Sequence, residues 1–280
     1  MAEFRLDRFL SLYFFYPLTR RKPAEPKIPI LMYHSISNET ETVHPYFQTH
    51  TSPAVFEAQI RYLKENNYKV ISLEEALIQM QNGESKTRKM VVITFDDGFL
   101  DFYNQAAPII LHYGFTASVF LPTAFIMDKV NAFKGIDCLT WSQVRELILK
   151  GFDFGSHTMT HPQLYDLNIK KIAEELQHSK ARIEAETGRD VLSFSYPYAF
   201  PDKRANFVAL MARELKRYGY KMGVTTRLGT TNKADAPFFL KRIPVNNQDD
   251  VKLFEAKING AYDWLYWPQW IFKTFKFRAY

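Results

Sequence analysis

The chain has 280 residues and a single cysteine, Cys138. One cysteine cannot form an intrachain disulfide, and it excludes a metal site built from several cysteines. The chain also lacks the roughly 18 consecutive apolar residues that a membrane-spanning helix needs. It contains no internal repeat, no zinc finger and no RRM-like aromatic signature, so we expect no nucleic-acid partner. Scarce cysteine favours, without requiring, a reducing compartment.

The composition is typical of a folded globular protein, because 46% of the residues are hydrophobic and 24% are charged. A chain of this length forms one large domain or two small ones, and α/β barrels often use it as one domain. The formal net charge is +6. We interpret this net positive charge either as a sign that part of the protein faces an anionic membrane surface or as incidental.

Short apolar segments alternate with helical periodicity along most of the chain, which predicts parallel strands joined by crossover helices. The polar residues that follow the predicted strands are His34, Asp96, Asp97, His157 and Tyr198. In a closed βα barrel the carboxyl ends of the strands carry the active site. The sequence therefore predicts an α/β barrel with a site at that end.

Asp96 and Asp97 directly follow the β-branched run Met90–Phe95 and precede Gly98. Adjacent carboxylates at the end of a buried strand are candidates for a functional site. The alternative is an ordinary strand-terminating turn, in which Asp and Gly are common.

His157 and His161 lie four residues apart after another predicted strand. On one helical turn this spacing places both imidazoles on one face, where they can chelate one metal ion. Two surface or capping histidines are the alternative. Imidazoles and a carboxylate form a common ligand set that leaves positions for water and substrate.

Together these segments resemble the polysaccharide deacetylases, carbohydrate esterase family 4. Thr94-Phe95-Asp96-Asp97-Gly98 is similar to the first motif of that family, and His157-Thr158-Met159-Thr160-His161 is similar to its His-(Ser/Thr)-x-x-His motif. Ser195-Tyr196-Pro197-Tyr198 occupies the place of the third motif, usually Arg-x-Pro-Tyr. The resemblance implies a distorted (β/α) barrel of about seven parallel strands.

The resemblance also implies residue roles. Asp97, His157 and His161 would hold a divalent metal, for which zinc is the first expectation and iron, cobalt or manganese also fit. Asp96 would be the general base. Tyr198, through its backbone N–H, and the preceding Pro197 would line the oxyanion and substrate side of the site.

The general acid is expected at His34. The chain has no histidine after His178, so the usual C-terminal Leu-x-His is absent. Leu31-Met32-Tyr33-His34 instead resembles the N-terminal Met-Tyr-His of circularly permuted poly-N-acetylglucosamine deacetylases. A core histidine at a strand end is the alternative.

Two departures from the family pattern concern the residues that orient the base. Ser195 replaces the arginine of the third motif, and the fourth motif, Asp-x-x-Asp-Trp, is absent. We hypothesise that Arg242 takes the place of that arginine. Ordinary surface charge is the alternative for a single arginine.

We divide the chain into an aromatic and basic segment with a linker (1–27), a deacetylase domain (28–256) and an aromatic and basic tail (257–280). The first segment is either a helix packed on the domain or an interfacial anchor, and no small-x-small cleavage site follows it. The tail favours a membrane surface as a partner, with packing against the barrel or a sibling subunit as the alternative.

These features predict a metal-dependent N-deacetylase that acts on N-acetylhexosamine in a glycan or a lipid-linked glycan. A deformylase or cyclic-amide hydrolase on the same scaffold and a non-catalytic glycan-binding protein are the alternatives. We expect a cytoplasmic or peripheral membrane location, with export as the alternative.

Overall fold

In a computed structural model, the structure describes residues 5–19, 27–39, 43–82 and 89–276. The basic run Arg20-Arg21-Lys22 and the aromatic and basic residues Phe277, Arg278 and Tyr280 of the predicted tail lie outside the described residues.

Seven parallel strands close into a barrel, as the sequence predicted. The barrel strands are β1 (Ile30–Tyr33), β2 (Met90–Phe95), β3 (Ser118–Leu121), β4 (Asp153–Ser156), β5 (Ser193–Ser195), β6 (Met222–Leu228) and β7 (Leu240–Pro244). Each strand pairs with the next one along the chain, and β1 pairs with both β2 and β7. This closure brings the carboxyl ends of all seven strands to one rim.

Helices surround the barrel. The α-helices are α1 (Leu6–Leu10), α2 (Tyr16–Thr19), α3 (Pro53–Glu65), α4 (Leu73–Asn82), α5 (Ala107–His112), α6 (Trp141–Leu149), α7 (Ile169–Thr187), α8 (Ala205–Arg217), α9 (Val251–Ala256) and α10 (Tyr266–Lys276). Three π-helical turns, Ser11–Phe15, Phe102–Ala106 and Lys257–Ala261, extend neighbouring α-helices. Single 3₁₀ turns occur at Pro45–Phe47, Leu164–Asp166, Pro237–Phe239 and Asp263–Leu265.

Short strands lie outside the barrel. Lys69–Val70 pairs with the start of β2, Ser35–Ile36 pairs with His50–Thr51, and Ala132–Phe133 forms a hairpin with Ile136–Asp137. No described helix has both the length and the apolar character required to cross a bilayer.

The alternation of side chains along the strands explains why β2 is apolar throughout. Met90 and Val92 join a cluster with residues of β1, β6 and β7, whereas Val91, Ile93 and Phe95 pack in the larger cluster that includes residues of the surrounding helices. A strand buried on both faces carries a continuous apolar run.

Two of the longer helices begin where the sequence supplies a capping side chain. Ser52 Oγ accepts from the backbone N–H of Val55 (3.4 Å) at the start of α3, where Pro53 occupies the first helical position. Asn168 Oδ1 accepts from the backbone N–H of Lys171 (3.0 Å) at the start of α7. Such caps satisfy backbone N–H groups that the helix itself leaves unpaired.

The segments at the two ends of the described chain pack on the same side of the barrel. Lys257 is buried and pairs with Asp249 (Nζ to Oδ2, 2.7 Å), so the polypeptide continues from the barrel into residues 257–265 without an exposed linker. Trp264 donates from its indole nitrogen to Ser11 Oγ (3.0 Å). The 1–27, 28–256 and 257–280 division stays a prediction about domains.

Candidate metal centre and active site

The chain reverses directly after β2, and this turn presents both aspartates. Asp97 has φ 69° and Gly98 has φ 60°, a region that favours glycine. A Cβ atom at Gly98 would also lie 2.8 Å from Leu121 Cδ2, so a larger residue would require the Leu121 side chain to move. Asp96 and Asp97 are both buried at this turn.

The two histidines follow β4, and they lie on an irregular loop and not on the helical turn that would place both imidazoles on one face. Residues 157–161 form an irregular loop in which Thr158 (φ 67°) and His161 (φ 57°) are left-handed. The loop is held by Glu175 of α7, whose carboxylate accepts from the backbone N–H of Met159 (2.7 Å) and of Thr160 (2.9 Å). The loop therefore brings the imidazoles together without helical geometry.

Asp97, His157 and His161 converge on one point. Oδ1 of Asp97 lies 3.5 Å from Nε2 of His157 and 3.3 Å from Nε2 of His161. One ligand atom from each of the three residues lies within 4.8 Å of the others, and all three residues are buried. His157 Nδ1 donates to the Ser195 carbonyl (2.8 Å), which directs the Nε2 lone pair toward Asp97.

These residues fit a divalent metal ion. Oδ1 of Asp97 is buried and has no hydrogen-bond partner among the described residues, which is costly unless a cation satisfies it. Burial lowers the pKa of His161 to about 4, so its imidazole is neutral and can donate a lone pair.

Asp96 is held by Arg242, which extends from β7. Nη1 of Arg242 donates to Oδ1 (2.8 Å) and Nη2 donates to Oδ2 (2.7 Å), and the guanidinium is fully buried. Burial would raise the pKa of Asp96, but the charge of Arg242 outweighs it, and the pKa of Asp96 lies well below its usual value. Asp96 is therefore ionised at neutral pH and held in a fixed orientation.

Every remaining donor of Arg242 is also used. Nε donates to the Thr225 carbonyl (3.0 Å), Nη1 to Thr94 Oγ1 (3.3 Å) and Nη2 to Ser195 Oγ (3.1 Å). Ser195 in turn donates to Asp96 Oδ1 (3.1 Å). The serine that replaces the third-motif arginine thus lies beside the arginine supplied by β7.

His34, at the end of β1, faces the same carboxylate. Its Nε2 lies 4.0 Å from Asp96 Oδ2, and its side chain is 21% exposed. Burial lowers the pKa of His34, while the charges of Asp96 and Asp97 oppose that effect. A partly exposed imidazole beside a buried carboxylate can exchange a proton with a bound molecule.

Lys134 is a site residue that the sequence did not reveal. It lies at the turn of the 132–137 hairpin, and its Nζ is 3.0 Å from Asp97 Oδ2. Phe133 of the same hairpin packs on the His161 ring, with centroids 5.0 Å apart. The sequence offers only Lys134-Gly135 between two strands of two residues each. Strands this short show no periodicity from which the hairpin could be predicted.

Tyr198 and Pro197 follow β5 at the same rim. Tyr198 is 46% exposed, has φ 58°, and its ring lies 4.7 Å from the His161 ring between centroids. Pro197, directly before it, is buried. The structure thus brings all the predicted site residues to the carboxyl end of the barrel.

A seven-stranded barrel with an Asp-His-His group and a second aspartate at its carboxyl rim defines the polysaccharide deacetylase class. The family model for polysaccharide deacetylase matches residues 83–223. YxkH, a polysaccharide deacetylase homologue of Bacillus subtilis (strain 168), is 32% identical over 239 residues, covering 85% of this chain and 78% of that protein. The chain belongs to the polysaccharide deacetylase family.

Other similar proteins agree with this assignment. The poly-β-1,6-N-acetyl-D-glucosamine N-deacetylase of Staphylococcus aureus (strain MRSA252) is 24% identical, covering 70% of this chain and 68% of that protein. The structure of Streptococcus pyogenes deacetylase PplD in complex with acetate has a TM-score of 0.71 and 27% identity, covering 84% of this chain and 99% of that chain. IcaB from Ammonifex degensii shares the fold, with a TM-score of 0.70 and 22% identity over 84% of this chain and 97% of that chain.

Proposed function

We propose that this protein is a metal-dependent N-deacetylase that hydrolyses the acetamido group of N-acetylhexosamine in a glycan or a lipid-linked glycan. The observation that carries the proposal is the position of Asp96. This charged carboxylate directly precedes the metal-ligating Asp97 and lies 4.0 Å from His34. The proposed base, the proposed acid and the three residues that would bind the metal therefore share one site.

The similar proteins support the substrate class. The Staphylococcus aureus relative is named for deacetylation of poly-β-1,6-N-acetyl-D-glucosamine, and PplD was captured with acetate. Acetate is the expected carboxylate product, and an N-acetylglucosamine polymer is the first substrate to test.

Asp97, His157 and His161 would hold the metal ion through Oδ1 and the two Nε2 atoms. When bound, a divalent ion polarises the substrate carbonyl and makes water a better nucleophile at neutral pH. Zinc is our first expectation, and iron, cobalt or manganese suit the same ligands.

Asp96 accepts a proton as the oxygen of water attacks the acetamide carbon. Arg242 and Ser195 hold the carboxylate so that it stays charged and correctly oriented before the substrate arrives. The backbone N–H of Tyr198, positioned by Pro197, is proposed to donate to the carbonyl oxygen as negative charge develops there.

His34 is proposed to complete the reaction as the general acid. The bond between the carbonyl carbon and nitrogen breaks, and His34 gives its proton to the departing amine. The products are a free amino sugar and acetate, and the proton on Asp96 returns to solvent or to His34.

The test is a substrate panel with separate detection of acetate and formate. The protein is stripped with a chelator, reloaded with zinc, cobalt, manganese or iron, and given N-acetylglucosamine oligomers, N-formyl analogues and cyclic amides. Metal-dependent acetate release supports the proposal. Formate release or ring opening alone would identify the deformylase or cyclic-amide alternative, and glycan binding without hydrolysis would identify a binding protein.

A further inference from the structure

Two helical segments of the described chain present an exposed apolar surface, which we name the aromatic face. It consists of Leu6, Phe9, Tyr13, Phe14, Leu18, Trp267 and Ile271. These seven are among the seventeen exposed large hydrophobic residues of the described chain, although the two segments make up a small part of it. Such a concentration marks an interaction surface, because single exposed apolar residues are normally scattered.

Ring contacts connect the two halves of the aromatic face. Phe14 contacts Phe15 (5.1 Å between centroids), and Phe15 stacks on Trp264 at 5.0 Å and 8°. Trp264 precedes Trp267 by three residues, which places the two tryptophans on neighbouring positions of the helical segment. The Phe15–Trp264 stack thus holds the two segments that carry the aromatic face side by side.

The charge of the flanking sequence indicates what the surface binds. Residues 5–24 contain five basic residues and one acidic residue, and residues 264–280 contain three basic residues and no acidic one. Arg5 pairs with Asp7 and Arg8 with Asp250, which leaves the basic run 20–22 and the three basic residues of 264–280 as the flanking positive charge. Aromatic and aliphatic side chains bordered by lysine and arginine suit the interface of an anionic bilayer. We propose that the aromatic face docks the protein on an anionic lipid surface without crossing it.

The position of α10 relates this surface to the site. Gln269 of α10 donates to the Thr226 carbonyl (2.9 Å) and accepts from the backbone N–H of Leu228 (3.1 Å). Thr226 also donates to the carbonyl of Tyr198 (3.1 Å), so α10 is attached to the loop that carries Tyr198 at the catalytic rim. This step rests on the proposed function. Given that function, the docked enzyme acts on glycan held at the membrane surface.

The experiment uses the full chain and flotation with two kinds of vesicle, phosphatidylglycerol mixed with phosphatidylethanolamine and pure phosphatidylcholine. The test variant carries Tyr13→Glu and Trp267→Glu, which place charge in the aromatic face. The matched control carries Ile78→Glu and Leu149→Glu, because these side chains are 48% and 85% exposed on α4 and α6, which are not part of the aromatic face.

We expect the wild type and the control to float with anionic vesicles, and the test variant to lose about tenfold or more of its partitioning. Added salt should weaken the binding. The test variant should keep wild-type circular dichroism and hydrolysis of a soluble substrate. Equal flotation of both variants would overturn the proposal, as would a wild type that forms a dimer through this face and ignores vesicles.

The two proposals fail separately. Acetate release without vesicle binding would remove the docking surface and leave the deacetylase assignment intact. Vesicle binding without hydrolysis of any amide would remove the deacetylase assignment and leave the docking surface intact.

Discussion

Arg242 and Asp96, 146 residues apart in the chain, meet through two parallel hydrogen bonds of 2.8 and 2.7 Å inside the barrel. The closure of β7 against β1, and of β1 against β2, makes this contact. A planar guanidinium suits the pairing because its forked donors match both carboxylate oxygens at once. Asp96, the proposed base, is thus oriented by an arginine from β7 and not by one in the third motif, where this chain has Ser195.

Arg242→Gln should destabilise the protein strongly, because it leaves the buried Asp96 charge unpaired. Removing one partner of a buried pair costs about 3–5 kcal/mol. Arg145→Gln is the matched control, since Arg145 pairs with Glu186 at the surface and its loss should cost about 0–1 kcal/mol. Urea unfolding measures both. Equal midpoints for the two variants would show that the Arg242 pair is not structurally important.

His34→Gln should reduce amide hydrolysis by about 100-fold or more, because the departing amine needs a proton. Aryl acetate esters have a leaving group that needs no proton, so the same variant should lose much less activity on them. His112→Gln, at the exposed end of α5, should leave both activities unchanged. A loss of equal size on amide and ester would contradict the acid role and point to a role in positioning.

Lys134→Gln should increase metal affinity several-fold, because the Lys134 ammonium and a divalent cation compete for the Asp97 carboxylate. Lys129→Gln is the control, as Lys129 is exposed on the segment leading to the same hairpin. Competition with a chromogenic chelator gives the dissociation constants. Unchanged or weaker metal binding in Lys134→Gln would show that the ammonium does not oppose the metal.

The metal-free protein should lose stability as the pH falls. Burial lowers the pKa of His161 from 6.5 to about 4, so its contribution is complete above pH 6.5 and is lost as the pH falls toward about 4. The full effect is on the order of 3 kcal/mol. Urea midpoints across this range should fall less steeply in His161→Gln than in the wild type or in His112→Gln. Parallel curves for all three would contradict the assignment.

The barrel and the rim position of the site were predictable because they depend on local patterns. The apolar run Met90–Phe95 and the alternation of strands with helices fix the strand order once closure is assumed. The carboxyl ends of parallel strands then bring Asp96, His157 and His34 to one place.

Other parts of the site depend on contacts that no local pattern shows. The four-residue spacing of His157 and His161 suits a helical turn, but two left-handed residues and the carboxylate of Glu175 impose an irregular loop. Lys134 reaches Asp97 from a hairpin whose Phe133 packs on the His161 ring, a contact between segments distant in sequence. The stacking of Phe15 on Trp264 likewise joins segments from opposite ends of the chain.

The central claim is that Asp96 is the base and Asp97 a metal ligand, and one experiment with two readouts on two variants tests it directly. Metal content and acetate release from an N-acetylglucosamine oligomer are measured for Asp96→Asn, Asp97→Asn and the wild type after reloading with metal. The account predicts that Asp96→Asn keeps the metal and loses activity by about 100-fold or more, whereas Asp97→Asn loses both. Acetate release by Asp96→Asn at the rate of the wild type would contradict the account.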